Sequence, residues 1–263
     1  MDILLYPFFQ RALAGVILIS VAVAIIGTYI MSRRMVFISG GITHACFGGL
    51  GLGYFLGINP IAMAAAAAVA GSLGVEWLTA RRRVRTDSAI AVVWAVGMAL
   101  GILFIFLTSG YVPELNSFLF GNVLTVTGSD LWMFLAYTLL LSLFFIIGFR
   151  TIVAVAFDPD FATVNRLPVR LVNYTMTVFV AVAIVMAVRL VGIMLLMSLL
   201  TLPQMIAEVW CHRFGRLVWL SIIIAVAGGV GGLFIAYWIG VPASATIVLL
   251  LTAFYVLARI MRR

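Results

Sequence analysis

The sequence predicts an all-α polytopic membrane protein of about nine transmembrane helices, or eight if one stretch falls short of a full crossing. Three observations carry that prediction. Of the 263 residues, 65% are hydrophobic and only 9% are charged, and the mean hydropathy is +1.27. A soluble domain of this size cannot hide so much apolar surface. Apolar runs of about 20 residues recur along the chain, the length a membrane helix needs, whereas barrel strands would show segments of about ten with alternating polarity. The 16 basic residues are all arginine and stand in short clusters between the apolar runs. That is the pattern of topology signals, so the net charge of +8 is explained without a nucleic-acid partner.

The first span runs from about Ala12 to Met31 and ends at Ser32-Arg33-Arg34. Arginine pairs mark the inner side, so the N-terminus lies outside. Nothing ahead of this span reads as a cleavable signal, because Arg11 follows the first short apolar segment and no small-residue cleavage site precedes the span. The second span lies within Met35–Gly57 and carries His44 among glycines at 40, 41, 48, 49, 51, 53 and 57. These make a poor isolated helix, yet they let neighbouring helices approach closely and permit unwinding where a cavity is lined. An ionisable side chain at membrane depth is costly and marks function by default, so His44 is the first candidate site residue. The alternative is a histidine that merely hydrogen-bonds a neighbouring helix. Gly40, Gly41 and Cys46 flank it as pathway or gate candidates.

Ile58-Asn59-Pro60 is a turn, since proline fixes its own φ and biases its predecessor away from helix. The third span, about Ile61 to Thr79, is alanine-rich and suits packing against those glycines. It ends at Arg81-Arg82-Arg83-Val84-Arg85, the strongest inner anchor. Thr86-Asp87-Ser88 is expected to cap the fourth span, about Ala89 to Leu107, and Asp87 is a further pathway candidate. An outer loop follows from about Ser109 to Asp130. Its middle, 117–124, is apolar but too short to span, so it is expected to lie along the membrane or dip partway in. The fifth span, about Leu131 to Gly148, returns to Arg150.

Residues 151–170 form the longest inner loop. Asp158-Pro159 supplies an N-cap with proline at the first helical position, and Phe161, Val164 and Leu167 recur every third residue. The segment 157–167 is therefore a short helix with one apolar face, which packs on its own bundle or docks a partner. The sixth span runs from about Leu171 to Val188, with Arg189 at its outer end. The seventh, about Val191 to Ala207, is interrupted at Leu202-Pro203-Gln204, where a missing N–H frees a carbonyl within the bundle. Pro203 and the nearby Glu208 join the pathway candidates. The eighth span is about Leu217 to Trp238 and the ninth ends at Leu257, before Arg259, Arg262 and Arg263. All arginines except Arg11 and Arg189 then fall inside, which puts the C-terminus inside as well.

The missing motifs exclude several classes. There is no GxxxxGK[ST] loop, so the chain does not hydrolyse nucleotide, and no HExxH, CxxC or GxSxG that would indicate an intramembrane enzyme. Cys46 and Cys211 are isolated, and Cys211 and His212, being adjacent, point about 100° apart on a helix and form no chelating pair.

Several stretches in order resemble one family, the permeases of manganese, zinc and iron ABC importers, the ABC-3 family. They are Arg33-Arg-Met-Val-Phe-Ile-Ser-Gly-Gly-Ile-Thr-His44-Ala, Thr86-Asp-Ser-Ala-Ile-Ala91, Phe118-Leu-Phe-Gly-Asn-Val-Leu124 and Phe157-Asp-Pro-Asp-Phe-Ala162. Val191-Gly192, Leu202-Pro203 and Pro242-Ala-Ser-Ala-Thr-Ile-Val248 complete the pattern. The resemblance implies a type II ABC importer permease, one transmembrane domain over 1–263, in the bacterial inner membrane. It implies a homodimer, two cytoplasmic ATPase subunits, an extracytoplasmic solute-binding protein, and a transported metal as substrate rather than a resident cofactor. Phe157, Asp158, Pro159, Asp160, Phe161, Ala162, Val164 and Leu167 would then dock on the ATPase, and 109–130 would face the binding protein. Many relatives have an aspartate four residues before the histidine, on the same helical face, where this chain has Gly40. A two-fold pair of His44 side chains could still meet zinc, iron or manganese. Two alternatives stay open: a chelated cargo such as siderophore, haem or corrinoid, and a self-contained channel or secondary carrier.

Overall fold

The computed structural model describes residues 5–82, 84–108, 121 and 126–262. Within them the chain is helical throughout: α1 Pro7–Ser32, α2 Ile38–Leu56, α3 Pro60–Arg82, α4 Thr86–Leu107, α5 Gly128–Ile147, α6 Phe149–Phe157, α7 Pro159–Val164, α8 Val169–Leu199, α9 Leu202–Trp210, α10 Phe214–Ile239 and α11 Ala243–Met261. Seven stretches are long and apolar enough to cross a membrane: α1, α3, α4, α5, α8 as far as Val188, α10 and α11. The glycine-diluted α2 has 19 residues, and a shorter apolar helix covers Leu195–Trp210. Exposed leucines and isoleucines along α4 and α5, among them Ile102, Leu103, Leu139 and Leu143, are what a helix turned toward lipid requires. Of the surface segment expected at 117–124, only Gly121 falls within the described residues.

Two compact units make up the chain. One contains α2, α3, α4, nearly all of α6, α7 and α8 as far as Met186; the other contains α1, α5, the rest of α8 and α9 to α11.

In the first unit, α2 closes at Gly57, whose φ of 66° lets its N–H reach Tyr54 O while Ile58 N–H reaches Gly53 O. This closing pattern needs the left-handed region that glycine enters freely. Asn59 then accepts from the N–H groups of Ile61 and Ala62, so the turn doubles as the start of α3. Two expectations about this unit need correction. Neither Thr86 nor Asp87 caps α4: Arg85 occupies the N-cap with no side-chain bond, and Asp87 is an exposed first-turn residue whose charge suits the helix dipole. Nor is 151–170 simply a loop with one helix, because α6 precedes α7 and buries Ile152, Val155 and Ala156 at helical spacing. Arg33 donates to Asn173 Oδ1 at 2.6 Å, tying the α1–α2 turn to the start of α8.

In the second unit, α5 begins with a capping box in which Thr127 Oγ1 accepts from Asp130 N–H and the Asp130 carboxylate accepts from Thr127 N–H. α8 runs straight past Arg189 and breaks at Gly192, where φ 73° and ψ 172° lie in a region essentially closed to side-chain-bearing residues. Pro203 does not interrupt a helix. It stands in the first turn of α9, where a missing N–H costs nothing. The break falls at Leu200–Thr201, and the carbonyl of Leu199 receives the side-chain amide of Gln204, which also reaches Val23 O and Ala24 O at 3.4 to 3.5 Å.

Candidate functional site

The candidate site grows from the glycine face of α2. A Cβ on Gly48 would stand 2.8 Å from the carbonyl oxygen of Gly97, and one on Gly51 would stand 2.7 Å from that of Gly101. α2 and α4 therefore touch backbone to backbone, running in the same direction with a constant offset. α3 passes α2 in the opposite direction: a Cβ on Gly53 would meet Pro60 Cα at 2.6 Å, one on Gly49 would meet Ala64 Cα at 2.9 Å, and one on Gly71 would meet Ala45 Cβ at 3.0 Å. Small residues at successive contacts make this approach possible.

His44 projects from this face. Its ring stacks on Trp94 of α4 with centroids 4.4 Å apart and planes 24° apart. The stack fixes the plane of the imidazole, and the indole face favours a cation in its vicinity. His44 is half-buried, and its Nδ1 is buried with no hydrogen-bond partner among the described residues. Buried polar atoms are nearly always satisfied, so an imidazole nitrogen with no partner among the described residues sets His44 apart. The hydrogen-bonding alternative for His44 receives no partner for that nitrogen. Among the described residues no three histidine, cysteine, aspartate or glutamate side chains cluster to hold a metal ion.

The other candidates separate into distinct places. Gly40 and Gly41 are buried at the start of α2, and a Cβ on Gly41 would stand 2.7 Å from Ile90 Cγ2. Cys46 is fully buried, two residues beyond His44 and so about 200° around the helix. Asp87 is exposed. Pro203 is buried and Glu208 exposed on α9, in the other unit.

Within 157–167 the cap and the proline stand where the sequence implied, but the helix covers only Pro159–Val164: Phe157 ends α6 and Leu167 lies beyond the helix. Asp158 Oδ1 accepts from Phe161 N–H at 2.8 Å, and Pro159 opens α7. Arg166 closes it in the left-handed conformation, φ 56°, with Leu167 N–H returning to Ala162 O. Ala162 is buried, whereas Phe157, Phe161 and Val164 are 61%, 57% and 83% exposed. Phe157 at the end of α6 and Phe161 and Val164 on the capped α7 thus leave three apolar side chains exposed close together in the sequence. Asp160 is exposed in the first turn and Leu167 is half-buried.

Two residues of the same unit escaped the sequence reading. Trp94 carried no signal, because its pairing with His44 depends on the offset between α2 and α4. Glu76 did carry one: it is an ionisable residue within an apolar span, the criterion that singled out His44. It is buried at 7% exposure, and no described residue pairs with it.

Comparison with known proteins places the chain in a family. Residues 5–262 match the ABC 3 transport family. An uncharacterized membrane protein of Synechocystis sp. is 35% identical over 98% of this chain and 92% of its own. A manganese transport system membrane protein, MntC, of Halalkalibacterium halodurans is 30% identical over 98% of this chain and 88% of its own. The solved structure of PsaBC from Streptococcus pneumoniae in complex with Fab superposes with a TM-score of 0.85 at 25% identity, covering 98% of this chain and 92% of that one. The extent of these matches, nearly end to end, leaves one assignment: the chain belongs to the ABC 3 transport family.

Proposed function

We propose that the chain is the membrane-spanning permease subunit of an ATP-driven importer that moves a divalent transition metal into the cytoplasm by alternating access. The single observation that carries the site is His44, an imidazole plane set by Trp94 with Nδ1 buried and unspent. Family membership and the manganese transport relative support metal as the cargo class and make manganese the first ion to test. Zinc and iron are also within reach of an imidazole site. The metal is a substrate, and no resident cofactor is part of this reading.

The permease acts as one domain over 1–263 and pairs with a second copy. ATP is hydrolysed on separate cytoplasmic subunits, and a solute-binding protein delivers metal from outside. The arginine clusters put the N-terminus outside and the C-terminus inside. The exposed face of Phe157, Phe161 and Val164 docks on the ATPase, and the Asp158 cap and Arg166 closure keep that short helix rigid enough to transmit its motion. Gly40, Gly41 and Cys46 line or back the passage near His44, while Asp87, Pro203 and Glu208 are its gate candidates.

Proteoliposomes containing the permease, its ATPase and its binding protein test the class. Manganese uptake that needs ATP, and stops when the ATPase is inactivated, is the expected result. Manganese entry without ATP and without the ATPase would establish a self-contained carrier. ATP-driven uptake of a metal chelate, with no free metal carried, would establish the chelate class.

A further inference from the structure

Glu76 is buried on α3, and a buried carboxylate in a membrane helix is as costly as a buried histidine. It continues the buried stripe Ala64, Ala68, Ser72, Glu76 along α3, the stripe that begins against α2 at Gly49. No arginine stands three or four residues from it on α3, and no described residue from elsewhere pairs with it.

The α2–α3 register sets its depth. Gly53 meets Pro60, Gly49 meets Ala64 and Ala45 meets Gly71, so each step toward the end of α3 matches a step back toward the start of α2. Continued past Gly71, the same register brings Glu76 level with 37–40, ending at Gly40. His44 is one helical turn further along α2, about 6 Å at 1.5 Å per residue. That is the separation of two side chains at i and i+4 on one helix.

Resting on the metal-permease reading, we infer that Glu76 supplies from α3 the carboxylate that α2 lacks at position 40, and that Glu76 and His44 together form the transient cation site. A carboxylate oxygen beside an imidazole nitrogen suits manganese, iron or zinc and disfavours soft monovalent copper. The arrangement assigns a use to both the His44 Nδ1 and the Glu76 carboxylate, neither of which has a partner among the described residues. It also frees position 40 to remain glycine in the crowded first turn of α2, where Gly41 already touches Ile90.

The test is manganese uptake by the assembled transporter in proteoliposomes, comparing wild type, Glu76→Gln, His44→Ala, the double variant, and Glu76→Gln with Gly40→Asp. Glutamine keeps the shape and removes the charge. The expected result is a loss of roughly tenfold or more in Glu76→Gln, the scale on which metal sites respond to a lost partner, with assembly and ATPase activity retained. The double variant should be no worse than the weaker single one, because the two residues act on one ion, and Gly40→Asp should restore part of the uptake lost in Glu76→Gln. Wild-type uptake by Glu76→Gln beside an inactive His44→Ala would overturn this inference and leave the His44 reading standing. Failure of Glu76→Gln to assemble would also overturn it, in favour of a structural carboxylate. Normal uptake in both single variants would remove the His44 site and this inference together.

Discussion

Gly97→Ala offers a quantitative test of the α2–α4 contact. The added methyl would stand 2.5 Å from the carbonyl oxygen of His44 and 2.7 Å from both the nitrogen and Cα of Ala45. All three are backbone atoms, so no rotamer change relieves the clash and the helices must separate. Overpacking costs about 1–3 kcal/mol, and contacts this short against main chain fall at the upper end. Alanine returns about 0.5–1 kcal/mol through better helix propensity, so the net loss is about 2 kcal/mol. Gly74→Ala is the control. A Cβ there meets nothing within 4 Å, so that variant keeps the propensity gain of about 0.5–1 kcal/mol without the clash. Reversible unfolding of the purified permease in mixed micelles, titrated with denaturing detergent, should separate the two variants by about 3 kcal/mol in opposite directions from wild type. Because the clash falls on the main chain of His44, metal uptake should drop in Gly97→Ala and hold in Gly74→Ala. Equal stability of the two variants would refute the backbone contact and the helix offset derived from it.

Other outcomes follow from single contacts. Trp94→Leu removes a stack worth about 0.5–1.5 kcal/mol; uptake should fall while the complex still assembles, and Trp94→Phe should recover much of the rate. Phe161→Ala should change unfolding by less than about 0.5 kcal/mol, as exposed positions do, yet weaken co-purification of the ATPase and uncouple ATP hydrolysis from uptake. Arg166→Gly relieves a left-handed arginine and should stabilise the closure of α7 by about 1 kcal/mol, read as slower hydrogen exchange across 159–167.

Long apolar helices were legible because the bilayer demands length and hydropathy, and both are additive along the sequence. His44 as a candidate and the short helix at 159–164 were legible for local reasons: an ionisable group within an apolar stretch, and a cap followed by proline. What the sequence hid depends on contacts between helices or on competing local signals. Arg150 read as the end of a span, yet α6 begins beside it because Ile152, Val155 and Ala156 find a buried face. Arg189 read as another end, yet α8 continues to the backbone break at Gly192. Pro203 read as an interruption, although proline in a first turn starts a helix as readily as it stops one. Thr86 and Asp87 fit the residue types of a cap, but the helix begins at Thr86 itself and leaves Arg85 as its N-cap. The partnership of His44 with Trp94, and the depth of Glu76 relative to Gly40, follow from registers that no local pattern encodes.

The measurement that bears most directly on the central claim is manganese uptake by the assembled transporter with His44→Ala in place of wild type. Uptake should be lost while the permease still assembles and its ATPase still responds to the binding protein. Unchanged uptake with unchanged metal preference would contradict it and move the cation path away from α2.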